Sequence, residues 1–198
     1  MSTIDIFPTT IYKTSYNEIE SLQADILPGL EDIFLKAEKN NQRNIKQGVS
    51  SFDIISDLHT QDTYKTLVEF INCHAQVYWK TLGYSTKLNP VIRHMWANRY
   101  NSNGYIELHN HSPINIVGTF YLKKQADVAN IVLEHPNHIL LNHQPIAYGP
   151  TAYKQFEQEI NTESGDLLMF PGYLQHRTLV NTSTEDRIII GFNITGVL

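Results

Sequence analysis

The sequence predicts an α+β domain in which N-terminal helices pack on one side of an antiparallel barrel or sandwich. Residues 16–39 look helical, residues 60–82 repeat apolar side chains at helical intervals, and after about Pro90 the chain changes to short runs typical of β-strands. Turn-forming residues separate these runs. Helices followed by strands, rather than alternating with them, are typical of α+β proteins. We therefore expect a single domain over 1–198, with 1–88 mainly helical support and 89–198 the barrel core.

The first predicted helical region covers residues 16–39, which are rich in Glu, Leu and Ile. Proline lacks an N–H and clashes with the preceding turn of a helix, and glycine weakens a helix interior. We therefore expect Pro28 and Gly29 to divide this region into two helices.

A second helix is predicted over residues 60–82. Thr60 or Asp62 is expected to cap its start, because short oxygen-bearing side chains accept hydrogen bonds from the first free N–H groups. Gly83 is expected to end it. The apolar residues that recur at helical spacing are Leu67, Ile71, Val77 or Tyr78, and Leu82.

Short apolar runs after Pro90 predict β-strands, and a turn is expected at Asn103-Gly104. Residues 135–153 have weak periodicity and are long for a plain connection, which favours a lid over a site. The strand candidates are 91–100, 114–122, 128–134, 166–170 and 187–194.

The composition argues against some classes of partner. A formal net charge of −5 without a basic run argues against a nucleic-acid or anionic-membrane partner. The one cysteine, Cys73, excludes an internal disulfide and fits a reducing compartment, and its helix-like surroundings predict a buried, inert thiol. The sequence shows no signal peptide and no apolar run of membrane length. We expect a soluble, cytoplasmic protein.

The chemistry is indicated by His109 and His111, followed by His176 and then by Arg187 eleven residues later. Residues two apart on a strand project from the same face, so the first two imidazoles should lie side by side. His176 follows a turn, an apolar strand and a Pro-Gly break, which should deliver it at a strand margin. Three convergent imidazoles bind one metal ion and leave coordination positions open for catalysis.

The chain has nine histidines, so one such pair is unremarkable by itself. We assign the other six mainly to hydrogen-bonded core or surface positions, although three of them fall in the predicted lid. These six are His59, His74, His94, His135, His138 and His143.

Arg187 opens the most hydrophobic of the late strands. An arginine that faces a barrel interior needs an anionic partner, because an unpaired buried charge is strongly unfavourable. Its planar guanidinium can bind a carboxylate through two hydrogen bonds. The alternative is a surface arginine paired with Glu185 or Asp186. The residues that share its strand face are Arg187, Ile189, Gly191 and Asn193.

From residue 96 to 193 the sequence resembles the iron(II)- and 2-oxoglutarate-dependent dioxygenases, whose fold is the double-stranded β-helix, a jelly-roll or cupin-like barrel. The resemblance is greatest to the prolyl-hydroxylase-like branch and to small bacterial and phage members. Those enzymes carry, in this order, an Arg-Tyr strand, a Gly turn, a His-x-carboxylate pair, a Tyr-Leu strand, a G-x-L-x-x-F-P segment with a later histidine, and a basic residue. The matching residues are Arg99-Tyr100, Gly104, His109 and His111, Tyr121-Leu122, Gly165 to Pro171, His176 and Arg187.

The resemblance implies Fe(II) as the metal, 2-oxoglutarate as the co-substrate, and hydroxylation of a C–H bond. It implies that His109 and His176 bind iron and that Arg187 pairs with the distal carboxylate of 2-oxoglutarate. Tyr121 would donate its hydroxyl to that same carboxylate, and Tyr100 would line the pocket. A small molecule or a peptide side chain fits the mouth of such a barrel.

His111 departs from the family pattern, which usually has Asp or Glu at this position. A neutral imidazole in place of a carboxylate leaves the metal site one unit more positive and weakens discrimination against zinc. Glu107 shares the strand face of His109 and His111, so we expect it to supply negative charge behind the ligands.

Two other functions fit parts of the pattern. The segments around His109 and His176 also resemble the two half-motifs of cupin enzymes that bind a metal through three histidines without 2-oxoglutarate. The glutamate usual in cupins is replaced by Asn115, and Arg187 favours 2-oxoglutarate. The second alternative is a non-catalytic barrel that keeps the fold as a binding module.

Overall fold

The computed structural model describes residues 8–39, 45–126, 128–137 and 156–198. Two helices lie within a series of strands. Two short 3-10 turns, at Leu58–Thr60 and Asp62–Tyr64, precede the second helix. The helices are α1 (Ile19–Glu38) and α2 (Lys65–Thr81). The strands are β1 (Tyr12–Ser15), β2 (Ile45–Ser50), β3 (Asn89–Ile106), β4 (Ile116–Lys123), β5 (Ile131–Glu134), β6 (Glu157–Ile160), β7 (Asp166–Pro171), β8 (His176–Thr178) and β9 (Arg187–Val197).

These strands form two antiparallel sheets, which confirms the predicted double-stranded β-helix with helical support. The larger sheet has the strand order β1-β7-β4-β9-β3-β2 and the smaller one β6-β5-β8. Both helices pack against the larger sheet, where their apolar residues share one buried cluster with β3, β4, β7 and β9. A second buried cluster lies between the two sheets. This second cluster surrounds the site described below.

The predicted break at Pro28 does not occur, since α1 runs through it. Pro28 and Gly29 are both exposed, so the carbonyl that loses its helical partner faces solvent. The opposite face stays buried along the whole helix, and this packing outweighs the local cost of the proline. The buried residues of α1 are Leu22, Ile26, Leu30, Ile33, Phe34 and Ala37.

Helix α2 begins later than predicted, because Thr60 and Asp62 lie in the 3-10 turns and no side chain caps the first turn. Gly83 follows its end with φ +71°, as a C-terminal glycine should. Of the two alternatives at the third apolar position, Tyr78 is buried and Val77 is 48% exposed. Cys73 is exposed on α2, contrary to the expectation of a buried thiol.

The five predicted strands correspond to β3, β4, β5, β7 and β9. The turn predicted at Asn103-Gly104 lies inside β3, which continues through it to Ile106. Asn103 has φ +64°, and its N–H and the Gly104 carbonyl both bond to Asn181. Most of the predicted lid, residues 138–153, lies outside the described residues. Among the described helices, none is long and apolar enough to cross a membrane.

Candidate metal and co-substrate site

His109 and His111 lie just beyond the end of β3, on a segment that runs antiparallel to the start of β8. The backbone N–H of His109 donates to the His176 carbonyl at 3.0 Å, and the N–H of His176 returns a bond to the His109 carbonyl at 2.8 Å. The N–H of His111 donates to the Gly172 carbonyl at 2.9 Å. The Pro-Gly break before β8 therefore brings His176 directly opposite the histidine pair.

The three imidazoles face one another, as the sequence predicted. Ring centroids are 4.2 Å apart for His109 and His176, 5.2 Å for His109 and His111, and 5.3 Å for His111 and His176. One potential ligand atom from each residue lies within 4.8 Å of the others. Among the described residues, this is the one group of three or more His, Cys, Asp or Glu side chains that converges in this way.

Each of the three rings is held through its Nδ1 atom. His109 Nδ1 donates to the Glu107 carbonyl at 2.7 Å, and His176 Nδ1 donates to the Leu174 carbonyl at 3.0 Å. His111 Nδ1 donates to Oδ1 of Asn193 at 2.8 Å. A proton on Nδ1 places the lone pair on Nε2, which is the tautomer that a metal ligand needs. The arrangement therefore fits a divalent metal held by three neutral imidazoles.

The surroundings of His109 and His176 favour the neutral form of these two rings. Burial, with the neighbouring His109 imidazole as a second cause, lowers the pKa of His176 to about 3. Burial also lowers the pKa of His109. Neutral imidazoles at physiological pH are ready to bind a metal without first releasing a proton.

Arg187 is 2% exposed, so the surface alternative is wrong. Its terminal nitrogens donate to the Ala129 carbonyl and, at 3.0 Å, to Oγ1 of Thr178. Its Nε atom is buried without a hydrogen-bond partner among the described residues. The two acidic neighbours that would have paired with a surface arginine instead contact other cations: Glu185 lies near Lys123 and Asp186 near Arg99.

Tyr100 and Tyr121 are both buried beside Arg187. The guanidinium carbon of Arg187 lies 4.1 Å from the centre of the Tyr100 ring, a cation–π contact. Burial raises the pKa of Tyr121 to about 12, against smaller lowering effects of Thr162 and then of the Arg187 charge. Burial also raises the pKa of Tyr100, against a smaller lowering by the Arg187 charge. Both hydroxyls therefore stay protonated and can donate hydrogen bonds.

All six predicted site residues line one cavity of about 340 Å³. Its walls include the predicted face of β9, from Arg187 at one end to Asn193 at the other. A Cβ at Gly191 in this face would lie 2.7 Å from the Trp96 ring, so a side chain there would require the ring to shift. Trp96 in turn stacks on His111, with 5.9 Å between ring centroids and 26° between planes.

Asn193 and Trp96 hold His111 from two sides, and neither role was predicted from the sequence. The charge expected from Glu107 behind the ligands is not supported by the structure. The Glu107 carboxylate is half-exposed and lies 3.5 Å from Lys46 Nζ, so it is Glu107's backbone carbonyl, not its charge, that contacts the triad. Period-two spacing from Arg187 was the one signal that placed Asn193 on the site face.

The other described histidines lie away from the cavity. His74 Nδ1 is 2.7 Å from the Tyr12 hydroxyl, and His135 Nδ1 accepts from the Asn137 N–H. His59 and His94 are partly buried, each with its Nδ1 atom lacking a hydrogen-bond partner among the described residues. His138 and His143 lie outside the described residues.

Comparison with protein families supplies the class of this site. A family model described as "Putative 2OG-Fe(II) oxygenase" matches residues 94–193, half of the chain. The chain belongs to this family of 2OG-Fe(II) oxygenases. No curated protein matches the sequence.

Solved structures show the same fold at low sequence identity. HygX from Streptomyces hygroscopicus, with nickel and 2-oxoglutarate bound, is 11% identical with a TM-score of 0.58, over 94% of this chain and 82% of that one. A prolyl-4-hydroxylase from Pseudomonas putida is 10% identical with a TM-score of 0.56, over 93% and 92%. SnoN, a non-heme α-ketoglutarate-dependent epimerase from nogalamycin biosynthesis, is 10% identical with a TM-score of 0.65, over 94% and 76%.

This oxygenase is therefore an enzyme that uses Fe(II) and 2-oxoglutarate, as the resemblance implied. Family membership does not favour the cupin-type enzyme without 2-oxoglutarate or the non-catalytic binding module. The geometry of the three imidazoles and the buried arginine fits both components of the reaction.

Proposed function

We propose that His109, His111 and His176 hold Fe(II) through their Nε2 atoms and that Arg187 binds the distal carboxylate of 2-oxoglutarate. The observation that carries this proposal is the burial of Arg187. Among the described residues, no carboxylate lies within ion-pair distance of this guanidinium. A buried cation without an anionic partner is strongly unfavourable, and a dicarboxylate co-substrate supplies that partner.

When bound, Fe(II) and 2-oxoglutarate activate dioxygen and supply an oxidant that hydroxylates a substrate C–H bond, with release of succinate and CO2. The protein's part is positioning and exclusion of water. The Nδ1 hydrogen bonds fix the three imidazoles in one tautomer and one orientation. Apolar side chains of the second buried cluster line part of the cavity and limit the access of bulk solvent to the reacting atoms.

Two tyrosines complete the proposed co-substrate subsite. The Tyr100 ring lies against the Arg187 guanidinium and limits its movement, while the Tyr100 hydroxyl lies within 3.3 Å of the Asn98 amide nitrogen. We propose that Tyr121 donates its hydroxyl to the same carboxylate that Arg187 binds. A guanidinium and a phenol together present donors that match the oxygens of one carboxylate.

We also propose a small-molecule substrate and a cytoplasmic location. HygX has been crystallised with hygromycin B as well as nickel and 2-oxoglutarate, which shows that this fold can hold a small molecule beside its co-substrate. The cavity volume of about 340 Å³ is within the range of small-molecule sites. A single cysteine, which cannot form an internal disulfide, is consistent with a reducing compartment.

The test is a titration of 2-oxoglutarate into the anaerobic Fe(II) protein, followed by the metal-to-ligand absorption band. Removal of a charge-assisted bidentate contact from a buried pocket costs on the order of 2–4 kcal/mol, so Arg187→Ala should weaken 2-oxoglutarate binding by about 30- to 1000-fold. Arg187→Lys should recover part of this loss, because a point charge cannot reproduce the planar fork.

The control is metal affinity, which should be unchanged in both variants because Arg187 is not a ligand. Tyr121→Phe is the matched variant for the second donor, since it removes one hydroxyl and keeps the ring. It should weaken 2-oxoglutarate binding by about 10- to 150-fold, because a hydrogen bond to a charged group contributes about 1.5–3 kcal/mol. If Arg187→Ala binds 2-oxoglutarate as tightly as the wild type, the carboxylate is bound elsewhere.

A further inference from the structure

The charge of the cavity follows from the residues that line it. Among the described residues, the cavity walls contain one cation, Arg187, and neither Asp nor Glu. The imidazoles of a metal-bound triad are neutral, because a ligand nitrogen must be deprotonated. A divalent metal and Arg187 bring three positive charges and 2-oxoglutarate brings two negative ones. The loaded cavity thus keeps one positive charge that a carboxylate ligand would have cancelled.

Among the described residues, the hydrogen-bond partners of the three Nδ1 atoms supply no negative charge. The three Nδ1 atoms donate to two backbone carbonyls and to the amide oxygen of Asn193, all of them neutral. The nearest acidic side chain in sequence, Glu107, lies against Lys46. Residues 138–155 contain no Asp or Glu, and outside the described ranges only Asp5 and Asp127 are acidic.

The cavity has two ends along β9. The proposed co-substrate end is at Arg187, and the second end is at Gly191 and Asn193. Arg187 pairs with Tyr100 in the sheet register, whereas Gly191 pairs with Trp96. Asn193 is six residues beyond Arg187, or about 20 Å along β9. At this second end, Trp96 stacks on His111 and Phe52 packs edge-on against Trp96, with ring centroids 4.9 Å apart. An aromatic wall therefore lies beside His111, at the end of the cavity away from Arg187.

We propose that the substrate of this enzyme is a small organic anion whose charged group compensates the triad and whose apolar part packs on Phe52 and Trp96. This inference rests on the proposed function, since it counts the charges of the metal and of 2-oxoglutarate. An anion entering a low-dielectric cavity with a net positive charge gains a favourable interaction that a neutral or cationic substrate does not. Substrate choice is thereby coupled to the replacement of the family's carboxylate by His111.

The test compares two ligands of nearly equal size in the wild type and in the Asn193→Asp variant. Acetate and acetamide have nearly the same size and differ in charge, as do Asp and Asn at position 193. Both ligands are titrated into the cobalt(II)-loaded protein saturated with 2-oxoglutarate, and the visible bands of cobalt(II) report binding without turnover. In the wild type, acetate should bind at least about tenfold more tightly than acetamide. Asn193→Asp keeps the acceptor for His111 and adds a negative charge, so acetate affinity should fall about tenfold while acetamide affinity stays within twofold.

The outcomes separate the two proposals. If Asn193→Asp weakens both ligands equally, or neither, the anionic substrate is overturned while the co-substrate site stands. If 2-oxoglutarate leaves the cobalt(II) bands of the wild type unchanged, the proposed function fails and this inference fails with it. Should Asn193→Asp not fold or not hold cobalt(II), Thr119→Asp and Thr119→Asn give the same comparison, because Thr119 also lines the cavity and pairs with Gly191.

Discussion

At the scale of single residues, the partner of each histidine determines which of its nitrogens can bind a metal. His109 and His176 are held by backbone carbonyls, which no side-chain substitution removes. His111 depends on a side chain, the amide of Asn193. The imidazole that stands where the family usually has a carboxylate is thus also the one whose orientation can be changed by mutation.

Asn193→Ala should therefore lower metal affinity by about 10- to 100-fold, the usual effect of losing the partner of a ligating histidine. A chelator competition followed by the cobalt(II) absorption would measure this loss. Thr195→Ala is the matched control, since Thr195 is two residues further along β9 and does not line the cavity. Equal affinities for Asn193→Ala and the wild type would show that His111 is oriented by other contacts.

Gly191→Ala should destabilise the protein and disturb the same histidine. A Cβ at this position would lie 2.7 Å from the Trp96 ring, which must move and lose its stacking on His111. Overpacking of this kind costs about 1–3 kcal/mol of unfolding free energy. Urea denaturation would measure the loss, and a simultaneous fall in metal affinity would show that Trp96 is coupled to the triad. Unchanged unfolding would mean that the ring has room to shift.

The histidines and the arginine of the site were predictable from sequence because their signals are local. A pair spaced by two, a Pro-Gly break and an arginine opening an apolar strand can each be recognised within a few residues. The roles of Asn193 and Trp96 depend on how β3 registers with β9, which pairs Trp96 with Gly191 and His94 with Asn193. A β-bulge between Ile92 and His94 shifts this register, and no spacing rule predicts such a bulge.

At the scale of elements, helix α1 shows tertiary packing overriding local propensity. A proline followed by a glycine predicts a break, yet every fourth or third residue of the helix stays buried on both sides of it. The short strands β1, β2, β6 and β8 were missed for the converse reason. Each has three to six residues and takes its conformation from a partner strand, so its own sequence carries too little pattern.

Pro28→Ala should accordingly stabilise the protein. The substitution restores an N–H to an exposed position in a helix whose path already accommodates it, and the intrinsic preference of alanine over proline in a helix interior is about 3 kcal/mol. A gain of about 1–3 kcal/mol in unfolding free energy, measured by urea denaturation, is expected. Gly29→Ala is the companion variant, because a Cβ there meets nothing within 4 Å, and it should add about 1 kcal/mol. If Pro28→Ala brings no gain, the proline's stiffening of the unfolded chain offsets its cost in the helix.

At the scale of the whole molecule, the two sheets contribute different residues to the site. The larger sheet supplies the walls and Arg187, while the smaller sheet supplies His176 and the Thr178 hydroxyl that holds the arginine. The segment with His109 and His111 joins them through its backbone bonds to His176 and Gly172. Burial of these imidazoles between two sheets also makes the folded protein sensitive to acid, because protonation of a buried ring destabilises the fold.

The metal-free protein should therefore lose stability in acid over a defined range of pH. In the unfolded chain a histidine has a pKa near 6.5, whereas burial lowers that of His176 to about 3 in the folded protein. The unfolded state then binds more protons between these values, so the contribution of His176 is complete above about pH 6.5 and is lost as the pH falls toward 3. The loss is up to about 1.4 kcal/mol per pH unit for one such group. His109, His59 and His74, whose pKa values burial also lowers, add to the dependence of stability on pH.

Urea unfolding of chelator-treated protein between pH 7 and pH 4 would measure this dependence of stability on pH, with His176→Gln as the control that removes one titrating ring. An equal slope in the wild type and in His176→Gln would show that His176 takes up its proton in the folded state.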